Sequence, residues 1–293
     1  MSIAGFPRPV HRFSPRPKKC LGQHFLKNTS VAEIIVNALN PHPGDFFVEI
    51  GPGRGELTLP LLSRAGSGGF SYRGVEKDAR LADELEKRLL KSTYGDVSII
   101  RGDIRDMSLS DLSGGTGKNL KLFGNIPYYL SGNLFRMLTD SSVKPTLAVF
   151  TVQKEVAERA VAVKGRMNRL AALVGFWYGA EIIAHMGRKD FFPSPKVDSA
   201  VIRLILREDA EKSGRYWDTY VALVKNAFAQ PRKTLLNNLI GPSNKRLDGK
   251  KSAEALLESM ELPKTSRPHD LTLENLIKMS EMVYNKHNER QKK

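Results

Sequence analysis

The sequence predicts an α/β fold, an open sheet layered with helices and followed by a smaller helical module. Three observations predict it. Asp45-Phe46-Phe47-Val48-Glu49-Ile50 reads as a strand that runs straight into Gly51-Pro52-Gly53-Arg54-Gly55 and then a helix, Glu56–Arg64. Apolar runs of strand length alternate with amphipathic helical stretches as far as Leu206. Beyond a charged linker, Arg207–Arg215, apolar positions recur at helical spacing. The 293 residues, 41% of them hydrophobic, suffice for one good core and a satellite. The expected boundaries are 1–19 for a tail, 20–206 for the sheet domain and 207–293 for the helical module.

Charge and composition narrow the partners. The formal net charge is +15, which points to a polyanion. Residues 1–19 carry Arg8, Arg12, Arg16, Lys18 and Lys19, four prolines and no acidic residue, so a basic flexible tail is expected there. It is not a signal peptide, because it has no long apolar run. No run of 18 apolar residues predicts a membrane span. Cys20 is the single cysteine, which excludes an internal disulfide and fits a reducing compartment. The six histidines and one cysteine show no metal-ligand spacing.

The elements follow in order. Ser30 and Glu33 have capping-box spacing ahead of an apolar face formed by Val31, Ile34, Ile35, Ala38 and Leu39. Gln23, His24 and Phe25 precede this helix, where they either reach a site or serve as surface and packing residues. The glycine turn after Ile50 lets the backbone approach a ligand. Its G-x-G-x-G spacing is not the dinucleotide fingerprint, and no Lys-Ser/Thr pair follows to make a phosphate loop. Glu49 beside it either accepts from an amine or orders the loop amides. Phe70–Glu76 is the second strand, and Glu76 at its end is placed to accept both hydroxyls of a ribose. The helix Asp78–Lys91 turns Leu81, Leu85, Leu89 and Leu90 inward. Val97–Arg101 is the third strand, and Asp103 beyond it is placed against the amine edge of an adenine. Together Gly51–Gly55, Glu76 and Asp103 describe an adenosine-containing cofactor lying across the strand ends.

Leu120-Lys121-Leu122 ends in Phe123-Gly124-Asn125-Ile126-Pro127-Tyr128-Tyr129. An amide, a stiff proline and two rings at a strand end suit a flat base carrying an exocyclic amine. Ser131–Leu138 is a helix and Thr146–Val152 a buried strand. The helix opening at Gln153 breaks at Gly165, where Lys164, Arg166 and Arg169 gather. Leu170–Tyr178 resumes as an apolar helix, and Glu181–His185 is a short strand. The prolines of Phe191-Phe192-Pro193-Ser194-Pro195 stiffen a loop that presents rings, before the strand Ala200–Leu206. In the last module, Tyr216–Gln230 is a helix, Pro231 starts the next with Leu235, Leu236, Leu239 and Ile240 buried, and Lys286–Lys293 frays.

These residues resemble the S-adenosylmethionine-dependent ribosomal RNA adenine N6,N6-dimethyltransferases, the small-subunit group best. The resemblance spans residue 18 to about 280. It rests on Gly22-Gln23-His24-Phe25-Leu26, Glu49-Ile50-Gly51-Pro52-Gly53-Arg54-Gly55, Gly102-Asp103, Asn125-Ile126-Pro127-Tyr128, Gln153-Lys154-Glu155-Val156, Pro195-Lys196-Val197-Asp198-Ser199-Ala200-Val201 and Phe228-Ala229-Gln230-Pro231-Arg232-Lys233-Thr234-Leu235. It implies a class I methyltransferase fold, Rossmann-like, with a seven-stranded, mostly parallel sheet whose antiparallel strand is Asp198–Leu206. It implies cofactor contacts from His24, Leu26, Gly51, Glu76, Asp103 and Asn125, to which the reading of the turn adds Glu49, Gly53 and Gly55 as cofactor-binding residues. His24 stands where asparagine is frequent, and its imidazole is expected to donate a hydrogen bond in its place. Asn125, Pro127, Tyr128 and Phe191 are implied to hold the target adenine.

The implied substrate is two adjacent adenosines near the 3′ end of small-subunit rRNA, met in a cytoplasmic pre-30S-like particle by a monomeric enzyme. Ile126, where leucine is usual in that group, leans toward the macrolide-resistance methylases of large-subunit rRNA. Gly22-Gln23-His24 and Gln230–Leu235 lean back. A non-catalytic RNA-binding assembly factor is the alternative from another class.

Overall fold

The structure, a computed structural model, describes residues 15–65, 69–90, 95–115, 117, 119–210, 214–241 and 249–291. Most of the expected basic tail, residues 1–14, lies outside them. No helix among the described residues is long and apolar enough to cross a membrane.

A seven-stranded sheet organises the molecule. Its strands are β2 (Phe46–Ile50), β3 (Ser71–Glu76), β4 (Asp96–Arg101), β5 (Leu120–Asn125), β6 (Leu147–Gln153), β7 (Tyr178–Met186) and β9 (Ser199–Leu206). They lie in the order β4-β3-β2-β5-β6-β9-β7. β4, β3, β2, β5 and β6 are mutually parallel, and β9 runs antiparallel to both β6 and β7. The chain winds outward from β2 to β4 and then returns to β5 on β2's other side. That reversal leaves the loops after β2 and β5 side by side, where an open α/β sheet forms its ligand crevice.

Helices α1 (Thr29–Leu39), α2 (Thr58–Ala65) and α3 (Ala79–Leu89) cover one face, over Phe47, Tyr72, Phe123 and Val149. The other face carries Val48, Ile50, Leu122 and Phe150. It packs against α5 (Ser131–Asp140), α7 (Arg169–Trp177) and the carboxyl-terminal helices in one apolar cluster. Both faces of β2 and β5 are thus covered, which is why these strands read as continuous apolar runs. Between α5 and α7 lies α6 (Lys154–Ala160), and the carboxyl-terminal helices are α8 (Trp217–Ala227), α9 (Leu235–Leu239), α10 (Gly249–Glu258) and α11 (Leu273–Gln291). Phe176 joins the two regions, with ring centroids 4.9 Å from Trp217 and 4.5 Å from Tyr220. Below the crevice, the buried ammonium of Lys121 meets Asp45 at 2.6 Å and the carbonyls of Leu39 and Asn40 at 3.0 and 2.8 Å.

Several local expectations fail for identifiable reasons. The cap of α1 is Asn28, whose side chain accepts from the Ser30 amide, so Ser30 is already helical. Ile34, Leu90 and Ile240 are exposed, because the helices that carry them turn other apolar residues inward. Pro231 sits in a turn, and α9 begins at Leu235 under a Thr234 cap. The glycine-rich polar stretch Ser110–Asn119 reads as a loop, but it opens inside a short helix, α4 (Leu109–Leu112), capped by Ser108. β7 begins at Tyr178 and runs to Met186 because it pairs along the whole of β9. Of the polar end expected to fray, Lys286–Gln291 is helical, and residues 292 and 293 lie outside the described residues. A two-stranded ribbon that local pattern did not announce pairs β1 (Phe25–Leu26) with β8 (Phe191–Phe192), bringing Phe25 opposite Phe192 and Leu26 opposite Phe191.

Candidate active site

The ends of β2, β3 and β5 and the ribbon β1–β8 enclose one cleft. His24, Leu26, Glu49, Gly51, Gly53, Glu76, Asp103, Asn125, Pro127, Tyr128 and Phe191 all line it. Gly55 does not. A side chain at Gly55 would put its Cβ 2.9 Å from Leu85 Cδ1, so this glycine lets α3 close against the turn. Gly51 and Gly53 have φ of +67° and +58°, a left-handed turn that favours glycine and keeps backbone on the cleft surface.

The floor carries buried carboxyl groups. Glu49 is 1% exposed, and its Oε2 accepts from the Thr58 hydroxyl at 2.7 Å and the Tyr72 hydroxyl at 2.6 Å. Burial outweighs those two bonds and raises its pKa to about 8. Glu76 spans the rim, accepting the Gly53 amide on one oxygen and the Asp78 amide on the other, at 3.0 and 2.8 Å. Burial raises its pKa as well. Each of its oxygens keeps a lone pair for a ligand hydroxyl. Sequence reasoning missed Glu56, which also lines the cleft, accepts from the Arg54 amide at 3.1 Å and is raised by burial to about 7. Its signal was available, since it directly follows the glycine turn.

Asp103 is held differently. Arg105 and Lys77 contact its carboxylate at 2.6 and 2.8 Å, and they hold its pKa well below the usual range. The carboxylate therefore stays ionised at the cleft edge, and Arg105 also stands over the Tyr129 ring at 5.9 Å.

Asn125 ends β5, next to a glycine required for close approach. A Cβ on Gly124 would run into the Ile50 carbonyl oxygen, so only glycine lets the two loops meet. The Asn125 amide nitrogen donates to the His24 carbonyl at 2.7 Å. A carbonyl can only accept, so the amide orientation is fixed and Oδ1 is the end left to accept from a ligand. The Pro127 carbonyl accepts the Leu130 amide at 2.8 Å and retains a second lone pair. Tyr128 is half-buried. Its hydroxyl lies 2.7 Å from Ser199 Oγ, and its ring stacks on His24 with centroids 5.9 Å apart.

Two expectations change here. His24 Nδ1 lies 2.6 Å from the Pro193 carbonyl, so this nitrogen carries a hydrogen and donates into the β8 loop rather than toward the cleft. Phe191 is 2% exposed, wedged at the inner wall; the ring presented to solvent is Phe192, at 52%. This follows from the ribbon, whose alternate side chains point to opposite faces.

The segment before β1 roofs the cleft, an arrangement without a local sequence signal. Lys18 and Gln23 both donate to the buried Asp78 carboxylate, at 3.2 and 3.3 Å, and Arg54 donates to the Pro15 carbonyl at 3.2 Å. Among the described residues no group of three His, Cys, Asp or Glu side chains could hold a metal ion. Several acidic side chains beside glycine amides fit a cationic, hydroxyl-bearing nucleoside better than a pyrophosphate.

Comparison with known proteins gives the same direction. The family model described as ribosomal RNA adenine dimethylase matches residues 15–278. A ribosomal RNA small subunit methyltransferase A from Pelotomaculum thermopropionicum is 38% identical over 78% of this chain and 79% of its own. The protein of that name from Dehalococcoides mccartyi is 34% identical over 93% and 90%. Among solved structures, a dimethyladenosine transferase from Plasmodium falciparum aligns with TM-score 0.76 and 25% identity, over 90% of this chain and 98% of that one. The 23S rRNA methyltransferase ErmE shares the fold, with TM-score 0.70 and 22% identity over 88% and 99%.

Proposed function

The chain belongs to the ribosomal RNA adenine dimethylase family, and from that premise we propose that it methylates N6 of two adjacent adenosines near the 3′ end of small-subunit rRNA. S-adenosylmethionine is the donor and N6,N6-dimethyladenosines are the products. The observation that carries the reading is Asn125, whose nitrogen is pinned to the His24 carbonyl so that Oδ1 stands as an acceptor beside the Pro127 carbonyl and the Tyr128 ring. Two acceptors and a π-face at one strand end are what an adenine amine requires.

The cofactor supplies a methyl group already activated on a sulfonium. Glu76 accepts the ribose hydroxyls, Asp103 takes the adenine edge, and Glu49 and Glu56 give the cleft its preference for a cation. The glycine turn supplies backbone amides and carbonyls at close range. Leu26 and the carbonyl of His24 complete the roof.

The amine of the target base is a poor nucleophile because its lone pair is delocalised into the ring. Asn125 Oδ1 and the Pro127 carbonyl accept its two hydrogens, favour a tetrahedral nitrogen and aim the lone pair. Tyr128 stacks on the base, a contact worth about 1–3 kcal/mol, and Phe191 closes the inner wall. Fixing the two reactants in line supplies most of the rate gain. No general base is needed, since the N6 proton becomes acidic as the new C–N bond forms.

The base must leave its stack to enter. RNA shape and backbone are read by residues 207–293, by the basic tail and by the turn bearing Lys164, Arg166 and Arg169. These three side chains are exposed, and Gly165 between them donates to the His269 carbonyl at 2.8 Å. The protein works as a monomer in the cytoplasm during small-subunit maturation.

Incubation with labelled S-adenosylmethionine and, separately, undermethylated small and large subunits tests this. Four methyls on two adjacent small-subunit adenosines are expected. Label on a single large-subunit adenosine would move the activity to the resistance type. Salt-sensitive binding with no label would leave an assembly factor.

A further inference from the structure

The ribbon β1–β8 separates two neighbouring rings. Phe191 points to the inner wall of the cleft, and Phe192 points to the opposite face, which it shares with Phe25. Phe25 is buried beneath the Arg54 guanidinium, 4.1 Å from its ring centroid. Phe192 is 52% exposed, and no ring pairs with it among the described residues. About half of the ring remains in water, which forgoes roughly 1 kcal/mol of burial.

The surroundings indicate what would cover it. Arg188, Lys189 and Lys196 are exposed within four residues of Phe192 along the chain, with one exposed acid, Asp198, further on. The loop is held in place from below. The His24 imidazole donates to the Pro193 carbonyl, and Asp190 is engaged by Asn28 Nδ2 at 2.9 Å and the Gly187 amide at 2.8 Å. An exposed ring on a fixed loop that also carries three exposed cations is the chemistry that takes a single-stranded base by stacking and its phosphates by charge. Its place, one residue along the chain from the wall of the cleft, selects which base.

Resting on the proposed function, we infer that Phe192 is a stacking platform for the unpaired nucleobase adjacent to the adenosine that enters the cleft. It positions the RNA rather than touching the reacting atoms. While one adenosine is held by Asn125 and Tyr128, its neighbour lies on Phe192, so the ring contributes to selection of a substrate with an unpaired base next to the target.

The test compares wild type with Phe192→Ala, Phe192→Leu and Phe192→Trp on undermethylated small subunits. Methyl transfer is measured as kcat and KM, and cofactor affinity is measured separately by calorimetry. Phe192→Ala and Phe192→Leu are expected to lose about tenfold in kcat/KM, within the range for loss of one base–aromatic stack. The loss should fall mainly in KM, with cofactor affinity unchanged. Phe192→Trp should restore wild-type values, because it replaces the π-face. An active wild type whose Ala and Leu variants match it within twofold would overturn this inference alone. Equal loss in the Ala and Trp variants would also overturn it, since that pattern marks a packing role. A wild type that labels no rRNA would remove the proposed function and this inference with it.

Discussion

Replacing Glu49 with glutamine tests the electrostatics of the cleft most directly. Burial lifts Glu49 to about 8 despite its bonds from Thr58 and Tyr72. At pH 7 the ligand-free side chain is therefore about nine-tenths protonated, and a cation that requires the carboxylate must first expel that proton. The cost is one pH unit below the pKa, about 1.4 kcal/mol or tenfold in affinity. At pH 9 it has vanished. The ligand's own amine titrates in the same window, so the quantity to read is the ratio of wild-type to Glu49→Gln affinities for S-adenosylmethionine. Calorimetry should show that ratio rising about tenfold between pH 7 and pH 9. The wild type should also release a proton on binding at pH 7, visible as a heat that varies with the buffer's ionisation enthalpy. A ratio flat across this range would refute the claim that the buried carboxylate serves the cation.

The same shift has a stability sign. A carboxyl raised in the folded state binds more protons folded than unfolded between its ordinary value of 4.5 and about 8. Stability is then fullest below 4.5 with respect to this group and is lost as pH rises through 8. Ligand-free Glu49→Gln protein should lose less thermal stability over that interval than wild type.

Four further outcomes are expected. Asn125→Ala should lower kcat by about 10²–10³, the usual effect of removing one preorganised polar contact to the reacting group, with cofactor affinity changed less than tenfold in an equilibrium binding assay. Gly124→Ala should cost about 3 kcal/mol, the upper end for overpacking, because its Cβ meets the rigid Ile50 carbonyl; urea unfolding measures this. Lys121→Ala should cost about 3–5 kcal/mol in the same experiment, as expected when a buried pair loses one partner, since Asp45 is left uncompensated. Joint replacement of Lys164, Arg166 and Arg169 by alanine should flatten the salt dependence of rRNA binding by about two to three in log–log slope, with cofactor affinity unchanged in filter binding and calorimetry.

Much of the framework was legible in the sequence because its signals are local. A strand followed by G-x-G-x-G and a helix leaves few conformations to that stretch. Glu49, Glu76 and Asp103 are readable because residues at or just beyond strand ends face the crevice in any open α/β sheet. Asn125 was readable for the same reason. The strand Ala200–Leu206 was legible from its residues, but its antiparallel direction came through resemblance alone; nothing in its own pattern says which neighbours it takes.

What only the tertiary structure decided are pairings between distant residues and the environments they create. Phe25 and Phe192 are far apart in sequence, and their register alone determines that Phe191 faces inward while Phe192 meets solvent. The donor of His24 turns toward Pro193, a direction no motif encodes. Gly55 shares the turn's left-handed backbone, with φ of +88°, yet it faces Leu85 of α3 rather than the cleft. The protonation of Glu49 is a property of the low-polarity surroundings that α2, β3 and the glycine turn assemble around it. Local sequence sets backbone geometry and the chemical kind of each side chain. Pairing and burial set where that side chain points and which charge state it holds, because both depend on contacts that exist only once the chain has closed on itself.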